Sequence, residues 1–246
     1  MAAVGRLLLV ILLWQGAVAA AADVTVLASG AIRHALRDVF SEFERATGHK
    51  VVPHYEGSLV SRRQMEAGDA FDVAIVSFDV EDLATRGRIA PDTRVVLGHT
   101  RVGVGVRKGA PKPDIGTAEA FKRTLLAARS VAYSRGSSGV HFLGLLDRLG
   151  IAQEMKPKLR PQLGGETVKA LLTGEAEIAV SGTVTFAAVP GVELIGSLPP
   201  ELQTDVLFTA GMSAKAREPQ ASRELLRFLA TPAAAALFKA GGLEPG

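Results

Sequence analysis

Short apolar runs alternate with helical apolar stripes from Val24 onward. Residues 24–28 (VTVLA) form a run rich in β-branched side chains and predict a strand. Ser29-Gly30 punctuates it, and Ile32, Leu36, Val39, Phe40 and Phe43 then recur at helical spacing up to Gly48, which ends the helix. A second strand is predicted over 51–55. The turn Glu56-Gly57-Ser58-Leu59 follows, and a helix runs to Ala67 and stops at Gly68. Residues 72–76 (DVAIV) predict a third strand ending at Ser77.

The rhythm is strand, turn, helix, repeated, which predicts an α/β fold with parallel strands covered by helices on both faces. It resumes after a β-rich stretch over 95–107. A helix is expected over 118–128, a strand over 130–133, and then a loop of Ser134, Arg135, Gly136, Ser137, Ser138 and Gly139. Further on, a helix is expected over 140–149. Gly164-Gly165 opens a helix over 166–172, and a strand over 177–180 ends at Ser181-Gly182. Strands over 192–195 and 205–212 and helices over 219–229 and 232–239 complete the pattern. The reading is two lobes. Lobe I comprises 23–107 and 200–246, and lobe II comprises 108–199, so the chain crosses twice and leaves a hinged cleft. One doubly wound domain is the alternative.

Residues 1–22 carry one charge, Arg6, then an apolar run and small residues, the order of a secretory signal with an A-x-A-like cut site. The chain has 246 residues, 48% of them hydrophobic, and no cysteine, which excludes disulfides, thiolate metal sites and a lipid-bearing cysteine. A net charge of +3 with scattered bases gives no basic stripe for nucleic acid. Localisation in the periplasm is expected, as a monomer with no cofactor.

Enzyme signatures are scarce. The histidines at 34, 49, 54, 99 and 141 form no H-x-H or H-E-x-x-H pair and read as surface or packing residues. No carboxylate–imidazole cluster suggests a directly bound cation. There is no P-loop and no G-x-S-x-G elbow. What remains is a set of Ser/Gly turns where strands end and helices begin: Ser29-Gly30, Gly57-Ser58, Ser77, Gly136-Ser137-Ser138-Gly139 and Ser181-Gly182. In open α/β sheets ligands bind beyond the carboxyl ends of strands. Helix N-terminal N–H groups carry partial positive charge, so several such turns facing one point make an anion site.

These residues resemble the periplasmic solute-binding proteins of ABC importers, specifically the molybdate-binding type. The resemblance rests on V-T-V-L-A-S-G-A at 24–31, E-A-G-D-A-F-D-V at 66–73, L-T-G-E-A-E at 172–177 and F-L-A-T-P-A-A at 228–234, in that order. It implies the two-lobed type II periplasmic binding fold and an oxyanion held in the cleft by hydroxyls and amides. At matching positions it implies Ser29, Ser58, Ser137, Ser138 and Val168 as ligand-binding, and an ABC permease in the inner membrane as partner. Two departures widen the ligand class. The tyrosine of that family's site falls here at Ser181 or Gly182, and Arg135 stands in the lobe II turn, where a guanidinium can meet a carboxylate bidentately. The expectation is a non-enzymatic binding protein for a small anion, either a molybdate- or tungstate-type oxyanion or a small organic carboxylate. A sensory module and a serine-dependent hydrolase are the alternatives.

Overall fold

In the computed structural model the described residues are 21–163, 165–187 and 189–245. The leader expected over 1–22 lies almost wholly outside them, as does Gly164. The amino-terminal half begins with β1 (Asp23–Ser29), α1 (Arg33–Thr47), β2 (Lys50–Glu56), α2 (Ser58–Ala67), β3 (Val73–Val76) and α3 (Glu81–Thr85). A single turn of 3-10 helix at Gly30–Ile32 joins β1 to α1. Next come β4 (Val95–Arg107), α4 (Ala118–Ala127), β5 (Val131–Ser134), α5 (Ser137–Arg148), α6 (Ala152–Met155) and β6 (Leu159–Gln162). The chain continues through α7 (Thr167–Thr173), β7 (Ile178–Gly182), β8 (Val192–Ser197), β9 (Asp205–Met212), α8 (Pro219–Leu229) and α9 (Pro232–Ala240).

The strands form one curled sheet in the order β2-β1-β3-β9-β4-β7-β5-β6, with β8 paired to β4. β2, β1 and β3 are parallel, as are β6, β5 and β7. Between these triads, β9, β4 and β8 run antiparallel. The expected mainly parallel sheet therefore describes the outer strands of each half, and the strands joining the halves are antiparallel.

β4 belongs to both halves. Val95 to Arg101 pair with β9, whereas Val102 to Arg107 pair with β7 and β8. The sequence reading set the passage at Lys108, but the partners change between Arg101 and Val102. The reason is that β-forming residues continue through the crossing, so no turn signal marks it. Polar Thr100, buried at this junction, is consequently available to a site between the halves.

Apolar positions build the core as the periodicity requires. Leu36, Val39 and Phe43 of α1 pack in one cluster with Val24, Val26 and Ala28 of β1, and Phe43 meets Phe228 of α8 at 5.7 Å between ring centroids. Gly48 and Gly68 end α1 and α2 in left-handed conformation. Buried Asp72 ties strands to helix: its carboxylate accepts from the N–H groups of Thr25 (2.9 Å), Arg217 (2.6 Å) and Glu218 (3.1 Å). β6 was not anticipated, because Leu-Arg-Pro-Gln alternates weakly. Pro161 is tolerated there because β6 is an edge strand.

Candidate functional site

The turns at the ends of β1, β2, β3, β5 and β7 meet between the halves. Ser29 follows from β1, Gly57 and Ser58 from β2, Ser77 from β3, Ser134, Gly136, Ser137 and Ser138 from β5 and α5, and Gly182 from β7. Together with Ala31, Thr100, Val206 and Phe208 they line a cavity of about 20 Å³. That is room for about one water molecule. None of these lining residues is charged.

Hydroxyls hold the two halves together at this point. Ser58 Oγ accepts from Ser77 N at 2.9 Å and from Ser77 Oγ at 2.8 Å. Ser77 Oγ lies 3.2 Å from Ser137 Oγ across the crevice, and Ser137 Oγ donates to the Ser77 carbonyl. Ser134 Oγ and Ser138 Oγ are 2.8 Å apart. Thr100 Oγ1 pairs with Thr183 Oγ1 at 2.9 Å and accepts from Val184 N at 3.1 Å.

Two helices open on this cavity. α2 starts after Gly57 and α5 after Gly136, and at both N-caps no side chain accepts from the helix. Their first N–H groups therefore lack the side-chain acceptor that Ser, Thr or Asp supplies at an ordinary cap. α5 begins at Ser137, earlier than the predicted start at residue 140, because Ser-Ser-Gly forms its first turn rather than a loop. That start turns the Ser137 and Ser138 backbone into helix N-terminus.

Two larger compartments flank the serine cavity, and both lie between the halves. One, about 170 Å³, is bounded by Leu59, Val60 and Arg63 of α2 and by Tyr133, Arg135, Gly139 and Val140 from β5 and α5. Ser134 and Gly136 line it as well as the serine cavity. The other, about 190 Å³, is bounded by Gly30, Ala31, Arg33 and His34 on one side and by Gly165, Glu166 and Thr185 on the other. Ala31 is shared with the serine cavity. Here the Arg33 guanidinium sits 4.4 Å from the centroid of the Tyr55 ring. Burial raises the Tyr55 phenol above its ordinary value, and nearby Arg33 and Arg37 oppose that shift.

Of the sequence-predicted residues, Ser29, Ser58, Ser77, Gly136, Ser137, Ser138 and Gly182 share the serine cavity. Leu59, Arg135 and Gly139 line one flanking compartment and Gly30 the other. Val168 and Ser181 lie elsewhere. Val168 packs in an apolar cluster with Ala132, Leu171 and Phe186, and Ser181 Oγ pairs with Thr185 Oγ1 at 3.1 Å. Thr100 was not singled out, since it occupies a strand position with no turn signal, and Ser134, expected to open the Ser/Gly loop, instead ends β5. Arg33, His34, Arg63 and Glu166 were also passed over, because they read as ordinary exposed helix positions.

Comparison with known proteins follows from this geometry. Residues 24–244 match the family described as bacterial extracellular solute-binding protein. The chain is 35% identical over 229 residues to an aconitate isomerase from Pseudomonas sp, covering 90% of this chain and 87% of that protein. It is 23% identical over 233 residues to the molybdate-binding protein ModA of Escherichia coli (strain K12), covering 89% of this chain and 88% of that one. Among solved structures, the Azotobacter vinelandii periplasmic molybdate-binding protein superposes with a TM-score of 0.77 at 18% identity, covering 91% of this chain and 99% of that chain.

The expectation of a protein without catalytic activity is overturned by the 35% relative, which is an enzyme by name. The physical reason for the error is instructive. Paired nucleophile, base and metal motifs leave a spacing signature in a sequence, whereas a crevice shaped by turns from distant elements with a single acid–base group leaves none.

Proposed function

The chain belongs to the bacterial extracellular solute-binding proteins, and from that premise we propose that it closes its two halves on a small polycarboxylate of the aconitate kind and isomerises it. The observation that carries this reading is the tripartite crevice. A serine-lined centre with two uncapped helix ends is flanked by compartments of about 170 and 190 Å³, one bearing Arg63 and Arg135 and the other Arg33. A tetrahedral oxyanion uses only the centre. A tricarboxylate places one carboxylate on the serines and helix N–H groups and the others toward the guanidinium groups, whose forks suit carboxylates.

The energetics are adequate. Each hydrogen bond to a charged group contributes roughly 1.5–3 kcal/mol net. A handful of them offsets association costs and leaves about 8 kcal/mol or more, which is micromolar binding. Closure is favoured by the ligand because contacts from Ser137 and Ser138 are added only when the halves meet. The leader pattern supports a place of action outside the inner membrane, in the periplasm.

The test is a melting-temperature panel of aconitate, citrate, molybdate and sulfate, coupled to proton NMR of aconitate incubated with the purified protein. Stabilisation by the tricarboxylates and interconversion of cis- and trans-aconitate are expected. Stabilisation by molybdate or sulfate alone, with no conversion, overturns the reading. That result would favour the second one, capture of an oxyanion for delivery to an inner-membrane permease, whose support is the uncharged serine centre and the similarity to molybdate-binding proteins.

A further inference from the structure

We propose that His34 is the acid–base group of this isomerisation, acting in a compartment completed only when the halves meet. The inference rests on the polycarboxylate reading above and extends it to the chemical step.

Aconitate is an unsaturated tricarboxylate in which a methylene carbon lies between a carboxylate and the double bond. Its isomerisation needs no oxidant and no cofactor. A base removes a proton from the methylene, and the released electron pair spreads over the three-carbon allylic unit into the attached carboxylates. The same proton, or one from solvent, is then returned to the carbon that was vinylic. One C–H bond breaks, one forms, the double bond moves, and composition is unchanged. The protein must supply a group that takes and returns a proton near neutrality, and donors for the negative charge that develops.

The donors are in the serine centre and at the α2 and α5 N-termini. The base comes from the adjoining compartment. His34 lines it together with Arg33 on the same half, and Glu166 lines it from the opposite half. Imidazole is the side chain most often used as a general acid–base group in catalysis. As a neutral base it approaches a multiply charged anion without repulsion, and once protonated it attracts the anion it must reprotonate. The carboxylate of Glu166 is repelled by the same substrate. Arg33, held over Tyr55, lines the same compartment as His34 and supplies a fixed positive charge there. Gly165 comes so close to Gly30 that a Cβ there would stand 2.4 Å from the Gly30 carbonyl oxygen. The two walls of this compartment thus touch in this arrangement, and a separation of the halves would open it to solvent.

His34 is exposed on the first turn of α1, so its replacement leaves the core untouched. The experiment compares wild type, His34→Gln and Glu166→Gln in deuterium oxide with aconitate. Conversion and carbon-bound deuterium are read by NMR and affinity by calorimetry. His34→Gln is expected to lower kcat about 10²–10⁴-fold and to slow any carbon-bound deuterium incorporation in proportion, with aconitate affinity changed less than about threefold. His34→Gln turning over at the wild-type rate overturns the inference while leaving the proposed function standing, as does loss of turnover in Glu166→Gln alone. A wild type that binds aconitate without converting it overturns both.

Discussion

Ser77 Oγ lies 3.2 Å from Ser137 Oγ, although the two serines stand on opposite halves of the molecule and 60 positions apart in the chain. In this arrangement each hydroxyl donates elsewhere, Ser77 to Ser58 Oγ and Ser137 to the Ser77 carbonyl. On the proposed function, an anion entering between them would redirect these hydroxyls into charge-assisted hydrogen bonds, which are about twice as strong.

Ser58→Ala removes the acceptor of both the Ser77 N–H and the Ser77 hydroxyl. Losing a hydrogen bond to a charged ligand costs about 1.5–3 kcal/mol, so aconitate affinity should fall by roughly tenfold to 150-fold. Folding stability should fall by only about 1–2 kcal/mol, from the Ser77 N–H left unpaired. Calorimetric titration and urea denaturation separate the two effects.

Gly165→Ala acts on closure. Gly165 has φ +81°, a left-handed conformation that costs an alanine about 1–2 kcal/mol, and its new methyl would strike the Gly30 carbonyl oxygen only in the closed form. The variant should fold, bind at least about tenfold more weakly, and show no ligand-dependent drop in radius of gyration by small-angle X-ray scattering. A drop equal to that of wild type would show that the walls need not touch.

Asp72→Ala leaves the N–H groups of Thr25, Arg217 and Glu218 without their acceptor. Each unpaired buried donor costs about 1–3 kcal/mol. A loss of at least about 3 kcal/mol is expected in denaturant titration, the largest effect among these substitutions.

Asp79 and Arg94 form a bidentate pair at 2.7 Å for both contacts. The hydrogen bond from Arg94 holds the Asp79 carboxyl below the usual carboxylate range, against the opposing effect of burial. The folded-state value is the lower one, so the stabilisation is present above the unfolded-state pKa and is lost as pH falls through the depressed folded value. Both partners are partly exposed, which limits the effect to under about 1 kcal/mol. Asp79→Asn should therefore destabilise slightly at pH 7, and the difference in melting temperature from wild type should shrink as the pH is lowered into the acid range.

The strand-end serines were legible because apolar runs stop there: Ser29, Ser58 and Ser77 close three successive runs, and all three reach one cavity. Thr100 was not, because a polar residue inside a strand carries no mark of the sheet curling around it. The partner change in β4 was hidden for the same reason. His34 and Glu166 stand 132 positions apart in a chain of 246 residues and share a compartment only through tertiary assembly. Periodicity reports which face of an element is buried. It does not report which exposed faces of two elements come to oppose each other.

The most direct test is a crystal structure of the protein grown with aconitate. The account predicts the ligand between the halves, with one carboxylate against Ser29, Ser58 and Ser137 and another reaching Arg33 beside His34. Aconitate bound outside this crevice, or a crevice holding only an inorganic oxyanion at the serines, would contradict it.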